Sequence, residues 1–282
     1  VHSRALVYVA LHGGLEVGVL GVSRMLLPSA DNALVSVELA LKARFSSVER
    51  ILSVQAQLTD HSWIFSRDCQ LTGGFALFVW FDRGEFVLTL GGYNPYFARP
   101  AHFPVVPRLG FRWQATEHAV ASGTAYFALT TSCVMAGGSL SIDYRKGGLH
   151  AWFTAEANLL IAWDPFSYDV EVSVEVGVTY RFRVCFIKCW TTTIGVSLGL
   201  GLRLMGPPLR GELYIDLAVT SVTIPFGARR SVPDYLPSFS AFADRYLFAG
   251  DVAREGVRAL LASGLERKNA GTPFPPGSAA QP

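Results

Sequence analysis

At 282 residues, half of them hydrophobic and only 16% charged, the chain can bury a large core, as one β-domain or two smaller units. Its net charge of +2 comes from 24 basic and 22 acidic side chains, which leaves no footprint for nucleic acid or for a polyacidic partner. No apolar run reaches the roughly eighteen residues of a membrane-spanning helix, so no transmembrane helix is expected.

The chain opens at Val1 and enters strand-like sequence from Ala5 to Leu11. No basic region precedes an apolar core, so no signal peptide is read, and a cytoplasmic setting is slightly favoured. The simplest account is a piece of a longer polypeptide. Residues 5–27 read as two short strands broken at Gly13-Gly14. Leu34 to Phe45 and Ile51 to Leu58 pair around Ser46-Ser47. The connection Thr59-Asp60-His61-Ser62 leads into Trp63-Ile64-Phe65. Leu71 to Phe81 and Phe86 to Leu90 form a hairpin over Asp82-Arg83-Gly84.

The alternation then breaks. Residues 91–110, GGYNPYFARPAHFPVVPRLG, are rich in proline and aromatics. A loop of this length in a compact domain is either functional or an Ω-type cover. Tyr93, Tyr96, Phe97, Arg99, His102, Phe103 and Arg108 are its candidate recognition residues for a sugar ring or a partner side chain. The plainer reading is a proline-stiffened lid that lays its aromatics on the sheet. Strands Phe111 to Ala115 and Val120 to Leu129 follow.

Residues 132–182 carry the strongest signal. Val170, Val172, Val174, Val176, Val178, Tyr180 and Phe182 alternate with Asp169, Glu171, Ser173, Glu175, Gly177, Thr179 and Arg181. Period two means a strand with one dry and one wet face. A turn over Asp164-Pro165-Phe166-Ser167 sets Trp163 opposite Tyr168, Leu159 opposite Val172 and Ala155 opposite Val176. A turn at Lys146-Gly147-Gly148 sets Ile142 against Phe153 and Leu140 against Ala155. The three strands form a meander.

The next dry face is Ile194, Val196, Leu198, Leu200 and Leu202. Matching it requires an odd loop, Phe186-Ile187-Lys188, which puts Cys185 opposite Cys189. Cross-strand Cα separations of roughly 4.5–5.5 Å lie within disulfide reach. This pair is the candidate disulfide, against the simpler reading of free thiols in a reducing cytosol. Gly206-Pro207-Pro208 makes a turn, and a parity change at Thr220-Ser221 reads as a β-bulge. Ser238 and Asp251 are N-caps for two short helices.

These elements give an all-β class, a long-stranded antiparallel meander curled into a barrel or half-barrel. The expected domains are a β-domain over 1–229, a C-terminal helical pair over 230–266 packed on it, and a disordered tail over 267–282. Leu149 to Trp163 alone spans roughly 45–50 Å at ~3.3 Å per residue. Two short helices cannot cover such a sheet, so curling is favoured.

The segments 91–113, 125–140, 149–169 and 200–215 (among them AYFALTTSCVMAGGSL and LHAWFTAEANLLIAWDPFSYD) resemble the bacterial and fungal family catalogued as domain of unknown function 6603. The likeness runs from about Leu34 to about Leu247. It implies a β-rich module within a longer polypeptide, and it supplies no activity, cofactor or catalytic residue.

Other motifs have plain readings. Gly195-Val196-Ser197-Leu198-Gly199 matches G-x-S-x-G, but a nucleophile elbow needs a strand-turn-helix and here the motif lies in an alternating strand. The six histidines are scattered without metal spacing, so no metal or cofactor is expected. Glu156 and Glu175 fall opposite each other in the register above, about 5 Å apart at Cβ, a spacing used by retaining glycosidases. A solvated acidic pair is the plainer reading. The leading expectation is therefore a non-enzymatic scaffold or binding module of a larger protein, holding an apolar, lipid-like ligand or partner segment on its dry face. A membrane-type β-barrel is the alternative, and a paired-glutamate hydrolase is weaker.

Overall fold

The computed structural model describes residues 1–228 apart from 12, 30, 31 and 187. Among them every helix or strand is a strand. The first half holds β1 (His2–Ala10), β2 (Glu16–Leu27), β3 (Val35–Ser46), β4 (Ile51–Leu58), β5 (Trp63–Ile64), β6 (Ser66–Thr72), β7 (Gly74–Trp80) and β8 (Glu85–Leu90). The second holds β9 (Leu109–Thr116), β10 (Ala119–Thr130), β11 (Cys133–Lys146), β12 (Leu149–Trp163), β13 (Phe166–Cys185), β14 (Cys189–Gly206), β15 (Arg210–Leu217) and β16 (Thr220–Gly227). All pair antiparallel in one 16-stranded sheet.

From β10 to β16 the order is a meander, each strand beside its sequence neighbour. Pairing also closes through a ring of eight strands, β3-β4-β7-β8-β10-β9-β6-β5. The ring arises because strands share edges. β4 and β5 lie in succession along one edge of β3, and β8 and β9 along one edge of β10. β6 and β7 form one line interrupted at Gly73. β1 and β16 do not pair with each other, so among the described residues the sheet keeps two edges outside that ring.

The alternation of the sequence becomes one dry face across the whole sheet. A single row runs Val7, Val19, Ala43, Val54, Leu77, Leu88, Leu129, Val134, Ile161 and Tyr168, each paired with the next. Directly paired residues of an antiparallel sheet share a face, so strands far apart in sequence agree on which side is apolar.

Two details differ from the sequence reading. The β12–β13 turn closes over Asp164-Pro165 alone, pairing Trp163 with Phe166, Leu159 with Val170 and Ala155 with Val174. The register is thus shifted by two residues. A period-two pattern cannot distinguish such shifts, because an even slip leaves every side chain on its face. The parity change near Thr220 is not a bulge: Leu217 pairs with Thr220 in a hairpin over Ala218-Val219. The turn reverses the chain, so odd-numbered Leu213 and Ile215 meet even-numbered Ile224 and Val222 on one face. The helices expected from Ser238 and Asp251, and the tail at 267–282, lie outside the described residues.

The fully enclosed core is small and sits on the wet face. Trp80, Val87 and Phe103 form one cluster, and Tyr126, Ala128, Cys133 and Met135 another; Tyr93 and Phe97 touch both. What covers them is the loop 91–108.

Candidate functional site

The loop leaves and re-enters a single strand line. Leu90 pairs with Phe127 and Leu109 with Ala125, two positions away on β10. Gly91 makes the exit possible. Its φ is +73° and an added Cβ would lie 2.3 Å from the carbonyl oxygen of Ala125, so only glycine fits there. Thr89 donates to the carbonyl of Gly92 at 2.6 Å and Arg108 to that of Gly91 at 3.1 Å, tying exit to return.

Beyond this neck the loop lies flat. Phe103 stacks on Trp80, ring centres 5.7 Å apart and planes 11° apart, and Tyr93 stacks on Phe97. His102 bonds Glu85 at 2.8 Å and meets Trp80 edge-on. Arg99 donates to the carbonyls of Pro100 and Phe103. Asn94, 5% exposed, reaches the carbonyl of Leu159 on β12. The lid reading of 91–110 thus describes where Tyr93, Phe97, Arg99, His102 and Phe103 lie.

Two loop residues differ. The Arg108 guanidinium lies 3.9 Å from the Tyr126 ring centre. Tyr96, 60% exposed, stands beside Arg203 of β14, which bonds Asp169 at 2.8 Å. The Glu171 carboxylate beside the Tyr96 hydroxyl raises its pKa. Burial pushes the hydroxyls of Tyr93 and Tyr126 up to about 12 and holds the Arg108 pKa below its ordinary value.

The glutamates are not opposed. Glu156 pairs with Ser173 and Glu175 with Thr154, a consequence of the two-residue shift. Asn158 donates to Glu156 and the Trp152 indole to Glu175, each at 2.8 Å. Both carboxylates stay on the wet face as diagonal neighbours, each with its own donor. Ser197 pairs with Gly177 in mid-β14, so G-x-S-x-G forms no elbow. Cys185 and Cys189 pair across β13 and β14 and are disulfide-bonded, with Cα atoms 4.1 Å apart. Among the described residues no His, Cys, Asp or Glu group is placed to hold a metal ion, and no helix is long and apolar enough to cross a membrane.

The dry face is an extended apolar surface. On β13 and β14, Val172, Val176, Val178, Ile194, Val196 and Leu198 are 38% to 61% exposed. Val222, Ile224 and Phe226 extend it on β16. Continuous exposed apolar area beyond a few hundred Å² marks an interaction or ligand surface.

On the wet face, beside the loop, sequence reasoning missed a groove of about 1170 Å³. Its lining includes His2, Arg4, Leu6, Arg24, Lys42 and Gln55, with Val105, Val106 and Pro107 along one wall. The available signal was the spacing of His2, Arg4 and Leu6 at period two.

No curated protein and no solved structure matches the chain. A family model described as a family of unknown function matches residues 1–273, well beyond the 34–247 stretch that carries the resemblance. The chain belongs to that family, DUF6603.

Proposed function

We propose that this chain is a non-enzymatic β-scaffold, a binding module of a larger protein, whose dry face holds an apolar, lipid-like ligand or a partner's apolar segment. One observation carries the reading: a single apolar face runs from β1 to β16 and stays about half exposed over β13 to β16. Full burial of each Val, Leu or Ile side chain is worth about 1.5–3 kcal/mol, so a cover of matching apolarity gains strongly. The wet face, by contrast, is partly closed by the chain's own loop.

The alternatives have less support. A membrane-spanning sheet must pair its edges, because hydrocarbon leaves backbone groups without partners, and among the described residues β1 and β16 are not joined. A paired-glutamate hydrolase loses its opposed carboxylates in the register of β12 and β13. Purification without detergent, followed by organic extraction and mass spectrometry, tests the proposal. A stoichiometric lipid or a co-purified apolar segment supports it. Protein free of either, with the dry face protected from exchange by its own chain, contradicts it.

A further inference from the structure

The two edges of the sheet are not alike. β16 carries Pro225, paired with Glu212. Proline has no N–H for a further strand and is kept to edges. β1 has no proline, lysine or bulge: its register with β2 runs unbroken from His2↔Arg24 to Ala10↔Glu16. Eight of its nine residues are exposed, and among the described residues it pairs only with β2. An exposed edge without proline, lysine or bulge is a template for another strand.

Its two faces specify the strand that fits. On the dry face Ala5, Val7 and Val9 await apolar neighbours, with Val7 62% and Val9 61% exposed. On the other face His2 and Arg4 border the groove, beside Arg24 and Lys42. His2 and Arg24 are directly paired. Glu38 pairs with Arg24 across β2 and β3, yet its carboxylate takes a hydrogen bond from Thr59 at 2.8 Å. No described carboxylate forms a salt bridge with Arg4, Arg24 or Lys42.

We propose that the outer edge of β1 accepts a strand from a partner polypeptide in which apolar and acidic residues alternate. The apolar set extends the dry face beyond Ala5, Val7 and Val9. The acidic set enters the groove and neutralises Arg4 and Arg24. Main-chain hydrogen bonds supply affinity and the alternation supplies specificity, as in other strand-addition complexes. The inference goes beyond the ligand reading, since its charged contacts lie on the opposite face.

The probe is a fluorescein-labelled peptide of alternating Val and Glu, compared with a Val/Lys alternation and with a block peptide of the same Val and Glu content. Anisotropy reads binding to the full chain, and hydrogen exchange reads protection of residues 2–10. The expected result is Val/Glu binding at least about tenfold tighter than either control, with β1 amides newly protected. The Arg4→Glu, Arg24→Glu double variant reverses the preference toward Val/Lys. Arg4→Gln alone, at an exposed position, reduces it. Equal binding of the three peptides, absence of binding, or binding without β1 protection overturns the proposal. So does a β1 already protected in the free protein, which would show the edge occupied by this chain or a second copy. Lipid carried on the dry face is unchanged by these substitutions, so the two ideas fail separately.

Discussion

The hydroxyl of Tyr126 on β10 donates a 2.7 Å hydrogen bond to Oδ1 of Asn158 on β12, reaching across β11. It can do so because Gly137, paired with both residues, has no side chain; a Cβ there would lie 2.6 Å from the Tyr126 hydroxyl. Both partners are buried, at 5% and 6% exposure. Tyr126→Phe keeps the ring beneath Arg108 and removes only the donor. Losing one partner of a buried bond costs about 1–3 kcal/mol, to be read as a lower urea midpoint at unchanged slope. Gly137→Ala should destabilise in the same direction by displacing the ring.

The loop should behave as a cover with one exposed exception. Phe103 is 4% exposed and stacked on Trp80, so Phe103→Ala should cost about 3–5 kcal/mol and red-shift tryptophan emission. Tyr96 is 60% exposed, with the Arg203 guanidinium over its ring. Tyr96→Ala should cost under about 1 kcal/mol. Equal costs in denaturation would mean that the loop does not pack as described.

Asp143 bonds His150 at 2.7 Å and Arg145 at 2.8 Å, and these bonds hold its pKa below the ordinary aspartate value, His150 first. A depressed carboxylate pKa stabilises the fold above the unfolded-state pKa, and that contribution is lost as pH falls through the folded-state value. The site is a third exposed, so the effect is under about 1 kcal/mol. Asp143→Asn should lower thermal stability near about pH 7 and leave it unchanged near about pH 2.

The cysteines should label in three steps. Cys69 and Cys133 are buried free thiols, and burial pushes the Cys69 pKa up, so neither should react with iodoacetamide in the folded protein. Denaturation without reductant should expose those two alone, and reductant should add Cys185 and Cys189. Four labels before reduction would contradict the bond between Cys185 and Cys189.

The sequence made the strands legible because Val/Glu alternation and Gly-rich turns act locally. Ile142 against Phe153 and Cys185 opposite Cys189 followed from parity and loop length alone, and both pairs are present. Parity could not fix the even slip at Asp164-Pro165, so the opposition of Glu156 and Glu175 was lost with two residues of register. The groove was illegible for another reason. It joins Arg4 and Lys42 to Val106 through pairings between β1, β2, β3, β4 and β7, and long-range strand order is not written in any one segment. That the lid covers the wet face was equally hidden, because its aromatics match either side.

The most direct measurement concerns Val176 and Leu198, directly paired on the dry face and 46% and 39% exposed. Val176→Glu with Leu198→Lys places opposite charges there, a pair worth roughly 0.2–1 kcal/mol, so the fold should persist. Native mass spectra of detergent-free protein should show an apolar adduct on the unsubstituted chain and none on the double variant. An adduct that persists in the variant, or an unsubstituted chain without one, would contradict the dry face as the binding surface.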